Sequence, residues 1–145
     1  MTLHLAACDD NPMDLAWLKR LAFQQMRTSI TFDTFGEITP ALDAIERGGI
    51  ALLLLDDHLG TGDAITNLQR IFALQTETQV VVVTGEIPPG RREQILKAGA
   101  LECIHKDALD AKMFSDLVAM TLAKSSVLRP SLTERRRLPV EIDLL

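Results

Sequence analysis

Five residues of this chain have side chains suited to holding a divalent cation and a phosphoryl group, and each stands just after an apolar run: Asp9, Asp10, Asp56, Thr84 and Lys106. Carboxylates brought together repel one another, so such a cluster is tolerable only when cations sit among them. A lysine ammonium supplies one positive charge. Mg²⁺ supplies two, prefers hard oxygen ligands in octahedral geometry and keeps several waters. The three acids, Lys106 and one Mg²⁺ then sum to zero. In that setting a carboxylate can attack phosphorus, because metal, lysine and hydroxyl neutralise the charge on the equatorial oxygens.

Residues so far apart in the chain meet only if the elements carrying them converge. The apolar runs at 3–8, 30–35, 50–56, 79–84 and 101–105, several of them β-branched, read as five strands. Helical spacing fills the gaps: Leu15, Leu18 and Leu21, then Ala41, Leu42 and Ile45, then Ile65, Leu68, Ile71 and Phe72, with further helices at 91–98 and 109–122. Asn11-Pro12 reads as an N-cap with proline at the first helical position, and Gly48-Gly49 and Gly99 as helix C-terminal signals. Strands alternating with helices require crossover connections, hence parallel strands with helices on both faces of the sheet. Ala51-Leu52-Leu53-Leu54-Leu55 and Val80-Val81-Val82-Val83 have the continuous apolarity of central strands, whereas Thr31, Asp33 and Thr34 point to an edge. Ligands bind outside the carboxyl ends of such strands, where this chain carries its acids, threonine and lysine.

The ordered set resembles the receiver domains of bacterial response regulators over about residues 1–123. The matching pieces are Asp9-Asp10, the segment Leu55-Asp56-Asp57-His58-Leu59-Gly60-Thr61-Gly62-Asp63, Thr84 and Lys106. The resemblance implies a doubly wound α/β fold, flavodoxin-like, with five parallel strands in the order 2-1-3-4-5. It implies that Asp56 is the phosphoacceptor, since Leu59 and Asp63 then fall in the family register, whereas choosing Asp57 would shift both. By the same resemblance Asp10 binds Mg²⁺ directly, Asp9 acts largely through a bound water, and the His58 backbone carbonyl completes the protein ligands. Lys106 is expected to pair with Asp56 and then with a phosphoryl oxygen, and the Thr84 hydroxyl to turn inward onto the phosphoryl group. The implied donor is a histidine kinase or phosphotransfer protein. The implied output is a conformational switch, with self-association through the face built from 91–98, 101–105 and 109–122. A receiver is not an enzyme on a separate substrate, although it promotes its own phosphotransfer and dephosphorylation; the positions of His58 and Glu86 tune the latter in relatives. The chain departs from the family at Cys103, where an aromatic is usual, at Asp107, often proline, and at Gly60 and Ala64, usually proline and glycine.

At 145 residues the chain accommodates one domain plus a short extension, so residues 124–145 are expected to be a linker, a terminal helix or the start of an output domain. A hydrophobic fraction of 47% with 24% charged residues excludes disordered and fibrous classes. Cys8 and Cys103 stand alone in apolar runs, which argues against a disulfide framework or zinc site and for a reducing, cytoplasmic setting. No apolar run approaches the roughly 18–20 residues that span a bilayer, and the first residues lack the pattern of a signal peptide. Residues 1–123 carry ten basic against seventeen acidic residues, a balance that argues against nucleic-acid binding by this part. Trp17 and the methionines at 13, 26, 113 and 120 are expected in core or helix packing. Two other readings stay open. One is a receiver-like interaction module that is never phosphorylated. The other is a nucleotide-binding protein or aspartyl phosphatase, against which stand the absence of GxGxxG or GxxxxGK[ST] and of a second acid two residues after Asp56.

Overall fold

The structure, a computed structural model, describes residues 2–60 and 62–124. The strands are β1 (Thr2–Cys8), β2 (Ser29–Phe35), β3 (Ile50–Leu55), β4 (Gln79–Thr84) and β5 (Glu102–His105). The helices are α1 (Pro12–Gln25), α2 (Ile38–Glu46), α3 (Ala64–Ala73), α4 (Arg91–Lys97) and α5 (Ala111–Lys124), with a 3₁₀ turn at Lys106–Ala108. All strand pairs are parallel, in the order β2-β1-β3-β4-β5. The expected fold is therefore the observed one. The extension at 125–145 lies outside the described residues.

Period-two alternation along the buried strands divides the interior into two layers. Leu53 and Leu55 of β3 with Val80 and Val82 of β4 pack under α2, α3 and α4, through Ile45, Leu68, Ile71 and Ile95. Leu52, Leu54, Val81 and Val83 point the other way, toward Leu18 and Ala22 of α1 and Phe114, Leu117 and Val118 of α5. Each large apolar side chain so buried contributes roughly 1.5–3 kcal/mol. β2, with only Phe32 fully buried, is the edge that its threonines and Asp33 indicated.

Local signals set the helix ends. Asn11 caps α1, its side chain accepting from the backbone N–H of Met13 at 2.9 Å and of Asp14 at 3.4 Å, with Pro12 opening the helix. α5 begins two residues later than its apolar spacing indicates, because residues 106–108 are wound into the tighter turn. The expectation that the methionines serve core or helix packing fails at Met13. Met13, in the first turn of α1, is 80% exposed, and Met120 of α5 is 40% exposed.

Gly99 ends α4 with φ +109°, and a Cβ there would lie 2.6 Å from the Phe72 ring of α3. Both the left-handed backbone and the close ring exclude a side chain. Gly99→Ala is expected to cost about 1–3 kcal/mol, read as a lower urea midpoint with unchanged slope; an unchanged midpoint would contradict this packing.

Candidate metal centre at the switch point of the sheet

The chain leaves β1 for the neighbouring edge strand β2 and then crosses to β3 on the other side, so the direction of winding reverses between β1 and β3. A crevice opens at such a point, beyond the carboxyl ends of the two strands. The parallel ladder extends one residue past each strand, with Asp9 N–H donating to Phe35 O at 2.9 Å and Asp56 N–H to Cys8 O at 3.0 Å. These bonds set Asp9 and Asp56 side by side at the crevice. Both are buried, at 2% and 6% exposure, while Asp10 is exposed.

One carboxylate oxygen from each of Asp9, Asp10 and Asp56 lies within 4.8 Å of the others. Three hard oxygens on two strand tips fit a small divalent cation. Asp56 Oδ1 and Thr84 Oγ1 are buried without a hydrogen-bond partner, an arrangement that costs free energy unless a further group meets them. Burial, and next the charge of Asp9, push the Asp56 carboxyl above the usual carboxylate range against the pull of Lys106. The Thr84 hydroxyl also favours the charged carboxylate, though it makes no well-angled hydrogen bond to it.

Lys106 enters from the end of β5 and forms the expected ion pair with Asp56, though Asp56 is not its nearest partner. Its Nζ is 2.7 Å from Asp14 Oδ2 and 2.8 Å from Asp9 Oδ2, and 3.7 Å from Asp56 Oδ1. Burial alone would lower its pKa; the hydrogen bond to Asp14, the close ion pair with Asp9, whose Oδ2 accepts no well-angled hydrogen bond, and the charge of Asp56 outweigh this and hold it above an ordinary lysine. Asp14 is thus a fourth acid at the site, absent from the sequence-based set. It stands in the first turn of α1 as an unremarkable dipole-favouring residue, and only the fold shows what it reaches. With it, the four acids, Lys106 and one divalent cation leave one negative charge over rather than none.

The second feature that spacing did not reveal is a clamp beside Asp56. Arg91, the first residue of α4, holds the buried Asp57 through Nη2 to Oδ1 at 2.6 Å and Nε to Oδ2 at 2.8 Å, and reaches Asp63 Oδ2 at 3.2 Å. Asp57 Oδ1 also accepts from Ala64 N–H at 3.0 Å, and Asp63 caps α3 by accepting from Thr66 N–H at 2.9 Å. Asp57 thus lies outside the cluster of Asp9, Asp10 and Asp56, engaged by the arginine. The other site residues are placed as follows. Thr84 is fully buried at the end of β4; the exposed His58 side chain is 4.0 Å from Glu86. Asp107 donates its N–H to His105 Nδ1 at 3.0 Å, a bond that a proline there could not make. Cys103 packs inward, 3% exposed, in the layer under α4, so no aromatic ring stands at that position.

Fold and site together define a doubly wound α/β protein with a carboxylate cluster at its switch point. Residues 5–118 match the sequence profile of the response regulator receiver domain, and the chain belongs to that family, the receivers of two-component signalling. No curated protein matches the chain in sequence. Among solved structures it is similar to a response regulator receiver domain protein from Clostridium thermocellum, with a TM-score of 0.75 and 18% identity, covering 88% of this chain and 99% of that one. A LuxR-family DNA-binding response regulator from Staphylococcus aureus gives a TM-score of 0.71 at 18% identity, covering 82% and 98%. The signal receiver domain of a DNA-binding response regulator from Colwellia psychrerythraea 34H gives 0.73 at 15% identity, covering 83% and 98%. At these identities the likeness is one of fold.

Burial raises the Asp57 carboxyl, but the Arg91 and Ala64 hydrogen bonds overcome it and hold the group below the usual range. A carboxylate depressed on folding contributes stability that is present above its unfolded pKa and lost as pH falls through its folded value. Arg91→Met strands Asp57 as a buried charge and is expected to cost on the order of 2–4 kcal/mol at pH 7. The deficit should shrink as pH falls through the range just above about pH 4, where the stranded, desolvated acid takes up its proton. Denaturant titrations across that range check this; a deficit of the same size at pH 3 would contradict it.

Proposed function

We propose that this receiver takes a phosphoryl group on Asp56 from a histidine kinase or phosphotransfer protein in an Mg²⁺-dependent reaction and switches conformation as a result. The observation that carries the reading is the buried Asp56 carboxylate with one orphaned oxygen, set among Asp9 and Asp10, facing an orphaned threonine hydroxyl and 3.7 Å from a lysine ammonium.

The division of labour follows from the side chains. Asp56 is the nucleophile, held in place by its N–H bond to Cys8 O. Asp9, Asp10 and Asp56, with the His58 carbonyl by family resemblance, would hold Mg²⁺, which when bound neutralises phosphoryl oxygens and orients the group for in-line attack. Lys106 offers the remaining positive charge, and Thr84 offers a hydroxyl proton to a phosphoryl oxygen. The modification adds about −1.5 to −2 charges beside Thr84 and beside the Arg91 clamp. Residues 85–90 join those two points, so a change at Thr84 reaches the start of α4 through a short segment. Self-association through α4, β5 and α5 and a cytoplasmic setting go with this reading. Among the described residues no helix is long and apolar enough to cross a membrane.

A phosphorylation-independent interaction module is the second reading, favoured by two observations: Lys106 is engaged by Asp9 and Asp14, and Cys103 supplies no ring to follow Thr84. Incubation with Mg²⁺ and acetyl phosphate, followed by intact-mass measurement, separates the two. The phosphoacceptor reading expects one acid-labile phosphoryl group, lost in Asp56→Asn and on chelation of the metal. A wild-type protein that gains no mass, or an Asp56→Asn protein that gains it at the wild-type rate, would overturn it.

A further inference from the structure

We propose that Asp14 is a positioning residue for phosphoryl transfer: by binding Lys106 at the first turn of α1 it holds the ammonium off Asp56 and sets how readily the lysine moves onto a phosphoryl group. The proposal rests on the phosphoacceptor reading above and adds to it a residue through which the site's reactivity is tuned.

The argument is one of competing partners. The Lys106 ammonium has three protons to donate; its two short contacts, 2.7 Å to Asp14 and 2.8 Å to Asp9, leave Asp56 at 3.7 Å, beyond hydrogen-bond distance. The two short contacts differ in kind. Asp9 belongs to the oxygen cluster that can hold a divalent cation, so a bound cation competes with the lysine for it. Asp14 stands outside that cluster, and its hold on Lys106 has no such competitor. Nor is Asp14 free to follow the lysine. Its backbone N–H is bonded to the Asn11 cap, and Leu18 and Ala22 anchor α1 against the sheet, so the carboxylate is presented from a fixed turn. An ammonium drawn closer to a phosphoryl oxygen on Asp56 moves against a charge-assisted bond of ordinary length to Asp14. The carboxylate is 28% exposed, so solvent screens the pair without abolishing it.

Removing the Asp14 charge therefore frees the lysine for the acceptor. Beryllofluoride, a phosphoryl mimic, reads this as affinity in saturating Mg²⁺ by calorimetry, using the full chain. Asp14→Asn is expected to bind roughly three- to tenfold more tightly than wild type, given a partly screened charge-assisted bond. In a Lys106→Met background the same substitution should change affinity by less than about twofold, because the residue it acts through is gone. A gain of equal size in both backgrounds would show plain charge repulsion and overturn the role assigned to Asp14, as would unchanged or weaker binding by Asp14→Asn. The ¹⁵N resonance of the Lys106 ammonium in the metal-free protein is an independent reading. It should shift in Asp14→Asn, and an unmoved resonance overturns the pairing whatever the mimic does. Wild-type protein that fails to bind beryllofluoride at all would instead overturn the phosphoacceptor reading, and this proposal with it.

Discussion

The parallel pairing of β1 with β3 does not stop at the last strand residues, and the backbone bond from Asp56 to Cys8 brings two buried carboxylates to adjacent strand tips. Nothing in the side chains themselves favours this. Desolvation and mutual repulsion work against it, and the upward push on the Asp56 carboxyl is the local record of that cost. The sheet can impose it because the residues leading into the tips, from Ala6 to Cys8 and from Leu52 to Leu55, are buried in both layers of the core. A site of this kind is a stretch of backbone placing charges where solvent would not leave them.

The surrounding cations divide the excess charge between them. Lys106, arriving from β5, serves Asp9 and Asp14 and stands within reach of Asp56. Arg91, opening α4, serves Asp57 and Asp63 and is raised well above an ordinary arginine, first by its hydrogen bond to Asp57. Each cation thus ties the element following one strand to acids on another, so the charge on Asp56 bears on how β3, α4 and the turn after β5 sit together. Two ion-paired bridges thus meet on either side of one carboxylate. The Arg91 clamp is the more rigid of the two, bidentate and nearly dry; the Lys106 bridge is the one with partners to exchange.

Much of this was legible in the residues. Continuous apolar runs marked β3 and β4 as central strands, the threonines of β2 marked an edge, and Asn11-Pro12 marked the start of α1 through chemistry that operates within four residues. The acids and Lys106 were legible as a site because alternating strands and helices bring strand ends to one edge. Asp14 and Arg91 were not. Arg91 lies 34 residues from Asp57, Lys106 lies 92 from Asp14, and no periodicity links such pairs; their contacts depend on helix azimuth and side-chain direction. Lys106 does pair with Asp56, at 3.7 Å, but its shorter contacts are to Asp14 and Asp9, and Asp14 had not been counted. Met13 was misplaced because apolar type alone was read as burial, while its position in the capped first turn faces outward.

The claim on which all of this turns is that Asp9, Asp10 and Asp56 converge to share one divalent cation. Crystals grown with Mn²⁺ in place of Mg²⁺, measured near the manganese absorption edge, test it without reference to any reaction. The account predicts one strong anomalous peak within coordination distance of Asp10 and Asp56 carboxylate oxygens, absent when Asp10 and Asp56 are both changed to asparagine. A wild-type map with no peak at the strand tips, or with manganese bound only elsewhere, would contradict it.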